Sequence, residues 1–420
     1  MPEKQKKNIF NILGPGFISG AADDDPTGVA AHMQSGAQFG YGMLWTALFT
    51  LPFMVAIQEM CGRIGLVTGK GLAGVIKQTY SKSLLYVIVV LLLVSNTINI
   101  GADLGVMAAS MQLLVPIPFA FLLFGIASFI LFLEVVISYR IYAQFLKYSA
   151  ILLLSYAGVA FAVKQDWTQI FFATIIPNIE LNKSFLLGLL AILGTNMSPY
   201  LFFWQANEEV EEEVASNKLR MMGRGTPKIN MGDVNAMNTD TKIGMIFSNI
   251  IVFFIMIAAA STLGQSSIAS IETPAQAALA LKPIAGNFAS LLFAIGIIGS
   301  GLLAVPVLAG SASYALSESL GWKEGLYRNF KQAHGFYGVI IAAMLIGLLV
   351  NFLPISPFRM LIYSAALNAI IAPPILVLIL LISNNKNIMG RFTNSATSNV
   401  LGIFIITLMT AVAVGFFAFL

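Results

Sequence analysis

The sequence predicts an all-α polytopic membrane protein of about 11 transmembrane helices, arranged as two inverted five-helix repeats with helices 1 and 6 broken. Three observations predict it. Of the 420 residues, 58% are hydrophobic and only 10% charged, where soluble domains carry about 25% charged residues. Apolar stretches of membrane-spanning length recur from one end of the chain to the other. The first and sixth of them are interrupted by a proline with polar neighbours.

The candidate spans lie near 11–36, 41–66, 83–114, 118–138, 144–163, 184–206, 242–264, 286–314, 335–354, 358–383 and 398–420. Lysine and arginine set their orientation. With the N-terminus in the cytoplasm, the outer side holds Lys164, Lys183, Lys282 and Arg359, and the other 19 of the 23 basic residues face inward. The C-terminus is then outside, in a multi-pass plasma-membrane protein. The basic N-terminus "MPEKQKKNIF" resembles a signal peptide's opening, but Pro15 and three aspartates interrupt the apolar stretch after it, so it reads as mature protein. Cys61 is the one cysteine, which excludes an intrachain disulfide and a cysteine-based metal cluster.

Proline removes a backbone donor and clashes with the preceding turn. In a membrane the freed groups need protein, water or an ion. Pro26 stands in "GAADDDPTGVAAH" and Pro199 in "LGTNMSPYLFFWQA". Breaks at matching positions of two five-span blocks are the pattern of transporters whose site lies at paired broken helices near the midplane. The expected organisation is residues 1–166 as the first repeat and 167–385 as the second, including a cytoplasmic loop at 207–241. Residues 386–420 supply a loop and an eleventh span.

"GPGFISGAADDDPTG", followed by "LWTALFTLPFMVAIQEMCGRIGLVTGKGLA", resembles the first two helices of the natural resistance-associated macrophage protein (NRAMP) family of divalent metal transporters. "LGTNMSPYLFFWQA" resembles its sixth helix, and "GSGLLAVPVLAGSASYALSE" extends the resemblance weakly into the eighth. The resemblance implies the leucine-transporter-type fold and inward metal transport by alternating access. It implies a metal site at Asp25, Ser198, Thr195, Asp24, Gly28 and Ala22. The family's first break reads Asp-Pro-Gly-Asn; here Gly28 stands at the asparagine position. Its sixth helix reads Ala-x-x-Met-Pro-His; here Ser198 stands at the methionine and Tyr200 at the histidine, and a second histidine position is Gln205. This pattern is most similar to the magnesium-transporting side branch of the family.

The replacements have chemical consequences. A thioether favours transition metals, and oxygen favours Mg²⁺, Ca²⁺ and Mn²⁺. Mg²⁺ usually keeps several waters and takes one or two carboxylates. Mg²⁺ is therefore the expected substrate, with Mn²⁺ second and proton coupling weak or absent. Met197 adjoins Ser198 and would restore transition-metal preference if it faced the site. In a regular helix it points about 100° away.

Other polar residues have two readings each. Asp25 is an intramembrane acid and by default functional; the alternative is a cap on the second half of the helix. Asp24 and Asp23 either line a cation path or join the site. Asp103 is either on a proton path or a partner for buried polar groups; the acidic residue expected after it is Val106. Glu59 and Arg63 are spaced as a helix pair, structural or gating. Glu134 is expected to be interfacial or paired with Arg140. His32 could titrate or simply pack. Asn368 stands one turn beyond Ala365, where the family places a glutamine near the metal. The glutamates at 208, 209, 211, 212 and 213 are expected to form a solvated helical extension, with Mg²⁺ sensing as the sharper idea.

No histidine cluster, phosphate-cradling loop or nucleophile–base pair supports an enzyme. "GLVTGKG" has the wrong spacing for a phosphate loop. Expected partners are the transported ion and the bilayer, with no nucleic acid, no resident cofactor and a monomeric state. Two alternatives remain: a proton-coupled Mn²⁺/Fe²⁺ symporter, and a sodium-coupled amino-acid symporter of the same fold, for which the three aspartates are poorly suited.

Overall fold

Prolines open both halves of the first span. A computed structural model describes residues 14–136, 154–264 and 270–418. Helix α1 (Pro15–Asp23) and helix α2 (Pro26–Phe39) each carry proline in the first turn, where its missing N–H costs no hydrogen bond. Between them Asp24 (φ −82°, ψ 44°) and Asp25 (φ −64°, ψ 167°) leave the helical region. Next come α3 (Trp45–Thr68), the short α4 (Leu72–Thr79), α5 (Lys82–Met111) and α6 (Phe119–Val136). The fifth span is described only from Leu154, as α7 (Ser155–Ala162), and α8 (Trp167–Ile175) succeeds it. The expected Glu134–Arg140 pairing therefore involves a residue outside the described ones, as do Lys147 and the N-terminal lysines.

The sixth span repeats the device. Helices α9 (Lys183–Asn196) and α10 (Pro199–Ala215) flank Met197 (φ −120°, ψ 50°) and the extended Ser198 (φ −73°, ψ 124°). The chain continues through α11 (Met231–Thr262), α12 (Pro274–Ala278), α13 (Ala289–Leu320), α14 (His334–Val350), α15 (Pro357–Asn384) and α16 (Ala396–Ala418). Among the described residues 8 helical runs are long and apolar enough to cross a membrane, counting α9 and α10 as one. The broken first helix is too polar for that count, and α14 has 17 residues.

Two expectations about the acidic segment are corrected. Helix α11 begins well before residue 242, because Asn230 and Asp233 form a reciprocal capping box and Lys218 pairs with Asp233 at 2.6 Å. The polar loop shrinks to 216–230. Three of the five glutamates of α10 are not part of a solvated extension, since Glu208, Glu209 and Glu213 are buried, while Glu212 is exposed as expected. Glu211 accepts from the Tyr314 hydroxyl (2.5 Å) and from the Leu326 N–H (2.5 Å), so the segment is packed against the end of α13 and the loop after it.

Glycines let the broken helices approach their neighbours. A Cβ on Gly20 would lie 2.2 Å from the Gly244 carbonyl carbon, so α1 meets α11 backbone to backbone. A Cβ on Gly65 would lie 2.0 Å from the Ala206 carbonyl oxygen, where α3 meets α10. Helix 1 thus packs on helix 7 and helix 6 on helix 2. That exchange of partners is what an internal two-fold relation between repeats produces.

Candidate functional site

Asp25 is the N-cap of α2, and its carboxylate closes the open turn. Oδ1 accepts from the Gly28 N–H at 2.5 Å, satisfying a backbone donor that the start of the helix leaves unpaired. Oδ2 accepts from the Asn99 side-chain amide on α5 at 3.0 Å, and the Tyr200 hydroxyl lies 3.5 Å from it. The same hydroxyl donates to the Ala22 carbonyl at 2.8 Å. Asp25, Ala22 and Tyr200 therefore come together, and Tyr200 joins the two breaks across the bundle.

A second layer surrounds this centre. The Thr27 hydroxyl lies 3.0 Å from both Asn99 Oδ1 and Asp103 Oδ1. Ser364 on α15 donates to Asn99 Oδ1 at 2.6 Å. Asp103 is fully buried, and its Oδ2 has no partner among the described residues. Asp23 and Asp24 face α11 instead, where the Ser248 hydroxyl lies 2.9 Å from Asp23 Oδ2 and 3.0 Å from Asp24 Oδ1. The other oxygen of each is buried without a hydrogen-bond partner among the described residues. An unpaired buried carboxylate oxygen is costly, and a cation or proton relieves it.

In the second break, Ser198 and Thr195 turn their hydroxyl hydrogens back onto their own helix. Ser198 reaches the Gly194 and Thr195 carbonyls at 2.9 and 2.7 Å, and Thr195 reaches the Ala191 and Ile192 carbonyls at 3.2 and 3.0 Å. Their oxygen lone pairs remain available to a cation. Met197 is fully buried in an apolar cluster with Leu193 and Phe202. Asn196 donates to Thr50 on α3 at 2.8 Å.

Gly28 supplies backbone only. Its N–H serves Asp25 and its carbonyl meets His32 Nδ1 at 2.8 Å. A Cβ here would lie 2.8 Å from the Asp23 carbonyl oxygen, so this break has no room for a side chain at position 28. The amide beside Asp25 comes from Asn99 on a different helix.

The remaining predicted residues lie elsewhere. His32 is turned to its own helix, with Nε2 buried and without a hydrogen-bond partner among the described residues. Gln205 donates to Glu209 at 2.9 Å. Ser95 on α5 donates to Asn368 Oδ1, joining α5 to α15. Glu59 does not form the ion pair expected with Arg63. It pairs with Lys242 on α11 at 3.3 Å, and Arg63 donates to Asn394. Intrahelical spacing permits a pair, but here α11 and the segment before α16 bring competing partners closer.

Sequence reasoning does not single out Asn99, Ser364 or Ser248. A signal exists for the first: Ser95, Asn99 and Asp103 recur every four residues on α5, a polar stripe on one face of an apolar helix.

Comparisons with known proteins bear on this geometry. A family model described as natural resistance-associated macrophage protein-like matches residues 16–418. The divalent metal cation transporter MntH of Caldanaerobacter subterraneus subsp. tengcongensis is 23% identical over 411 residues, spanning 95% of this chain and 90% of its own. MntH of Yersinia pestis (strain Pestoides F) is 24% identical over 452 residues, spanning 99% and 95%. Among solved structures, the Eremococcus coleocola manganese transporter superimposes with a TM-score of 0.75 at 17% identity, over 98% of this chain and 87% of its own. Mhp1, a nucleobase-cation-symport-1 family transporter, superimposes at 0.57 and 13% identity, over 96% and 92%. At these identities the structural likeness carries the fold.

Proposed function

Because the chain belongs to the natural resistance-associated macrophage protein-like family, we propose that it carries divalent metal cations into the cytoplasm by alternating access. In this reading Mg²⁺ is favoured and Mn²⁺ second, and proton coupling is weak or absent. The repeats run over 1–166 and 167–385, the N-terminus is cytoplasmic and the C-terminus outside.

One observation carries the reading. The groups gathered at the paired breaks are oxygens and an amide: the Asp25 carboxylate, the Ala22 carbonyl, the Tyr200 hydroxyl and the Asn99 side chain. The adjacent thioether, Met197, is buried among apolar side chains. Hard oxygen donors suit Mg²⁺ and Mn²⁺. One carboxylate with neutral hydrogen-bonding groups suits an ion that keeps part of its water shell. Tyr200 and Gln205 stand where the resemblance places histidines, so neither position supplies a group that ordinarily titrates near neutral pH.

The second reading, a proton-coupled Mn²⁺/Fe²⁺ symporter, is favoured by the names of the relatives, MntH and a manganese transporter. Uptake of Mg²⁺, Mn²⁺ and Ca²⁺ into liposomes holding the purified protein, with a pH-sensitive dye inside, separates the two. The proposal expects Mg²⁺ entry without stoichiometric acidification, abolished by Asp25→Asn. Mn²⁺ entry with acidification and no Mg²⁺ entry establishes the second reading instead.

A further inference from the structure

Away from the paired breaks, the face of the bundle that the charge bias assigns to the cytoplasm contains a cavity of about 560 Å³. Three separate segments wall it. Helix α4 and the turn before it contribute Lys70 and Lys77, the stretch after α10 contributes Arg224, and the loop after α13 contributes Lys323 and Arg328. Trp322, half exposed, forms part of the same wall.

An inward excess of lysine and arginine is expected of any membrane protein. Such residues ordinarily spread over loops and meet carboxylates or water. Here five cations from three segments line one concavity, and none of them takes part in an ion pair among the described residues. The cavity contains two carboxylates that could have paired with them. Glu318 is instead committed to backbone, accepting from the Gly71 N–H at 2.6 Å and the Gly74 N–H at 2.9 Å. Glu324 is buried, with Oε2 accepting no hydrogen bond among the described residues. Lys77 donates to the Glu318 carbonyl (3.1 Å), Arg328 Nε to the Glu324 carbonyl (2.8 Å) and Lys70 to Gln78 (2.8 Å). These neutral contacts position the cations without closing an ion pair on them among the described residues, although Glu318, Glu324 and Glu211 lie within electrostatic reach.

The geometry points to a binding site for a phosphate-bearing anion in this cavity, held by Lys70, Lys77, Arg224, Lys323 and Arg328. The volume lies within the range of small-molecule sites, about 300–1,000 Å³. Lysine and arginine donors clustered around one space are the chemistry that holds phosphate oxygens. Burial, with Glu318 and Glu211 beside it, pushes the Glu324 carboxyl up to about 10, towards the neutral form that opposes an anion less than a carboxylate would. An anion seated here would tie together three segments that come after helices 2, 6 and 8. The phosphate could belong to a soluble molecule or to an inner-leaflet lipid headgroup.

The test uses full-length protein in nanodiscs and reads the melting temperature. One arm titrates inorganic pyrophosphate into phosphatidylcholine discs. The other replaces phosphatidylcholine by phosphatidylglycerol. Each arm is repeated on Arg224→Gln/Lys323→Gln, both exposed and outside any ion pair among the described residues, after size-exclusion elution has shown a normal fold. Saturable stabilisation by pyrophosphate, lost in the double variant, assigns a soluble phosphate ligand. Stabilisation by phosphatidylglycerol alone, likewise lost, assigns a lipid headgroup. No stabilisation in either arm, or a shift of equal size in wild type and variant, overturns the proposal and leaves the cations as ordinary topology signals. If the double variant elutes abnormally, Lys70→Gln replaces it in the same two arms.

Discussion

Tyr200 donates its hydroxyl to the carbonyl of Ala22 at 2.8 Å, and this contact joins the break of helix 6 to the break of helix 1. The same hydroxyl lies 3.5 Å from Asp25 Oδ2. One phenol therefore spans both halves of the site. Tyr200→Phe keeps the ring and removes the link. A buried hydrogen bond contributes about 1 kcal/mol, so the expected result is a several-fold weaker apparent affinity in liposome uptake with near-normal thermal stability. Unchanged affinity would place the Tyr200 hydroxyl outside the transport site.

Asn99 is the hub between Asp25, Thr27 and Ser364. Asn99→Ala strips an amide from a buried carboxylate and an acceptor from two hydroxyls. Leaving such groups unpaired costs about 1–3 kcal/mol each. A lowered melting temperature together with loss of most divalent uptake is expected. Asn99→Asp places a second carboxylate beside Asp25 and is expected to recover neither property.

Gly28→Asn tests whether the side chain the family has after its Asp-Pro can be restored. A Cβ there meets the Asp23 carbonyl at 2.8 Å, and the Gly28 N–H already caps Asp25. The expected variant is less stable and no better at transition-metal transport. A gain of Mn²⁺ over Mg²⁺ preference in competition uptake would show that the break can reopen around an asparagine.

Asp240 on α11 accepts from the backbone N–H groups of Gly14, Gly16 and Phe17 at 2.9, 2.8 and 3.3 Å, capping α1 from another helix. Removing a cap costs about 0.5–2 kcal/mol. Asp240→Ala is expected to speed amide hydrogen exchange across residues 14–23 while α11 stays protected. Exchange unchanged over α1 would mean that packing along Gly20 and Gly244 alone holds it.

Glu324 gives a pH dependence with a definite sign. Its carboxyl, in the loop after α13, is pushed up to about 10 by burial and by Glu318 and Glu211, against the pull of Arg328 and Lys77. The folded chain holds this proton more tightly than the unfolded chain. The stability it contributes is complete below the ordinary glutamate range and declines as pH rises from there towards 10. Glu324→Gln should flatten the fall in melting temperature between about pH 6 and 9. A variant as steep as wild type would show that the carboxyl is already ionised there.

The sequence by itself determined the class, the two breaks and the central acid. Composition and span length force a membrane bundle, since lipid accepts few charges. Pro26 and Pro199 force the breaks, because proline lacks the donor that a continuing helix needs. Asp25 beside Pro26 stands out through the cost of placing a carboxylate there without a purpose. These are properties of single residues and of their neighbours along the chain. Only the tertiary structure decided which groups meet across it. Asn99 and Ser364 reach Asp25's surroundings because α5 and α15 pass there, and Tyr200 meets Ala22 because two helices far apart in sequence cross at their breaks. Glu59 turned from Arg63 to Lys242 for the same reason, and Glu211 on α10 is held by the backbone of a loop more than a hundred residues downstream. Spacing along a helix says which residues share a face. It does not say what that face will touch, because that depends on the packing of every other helix.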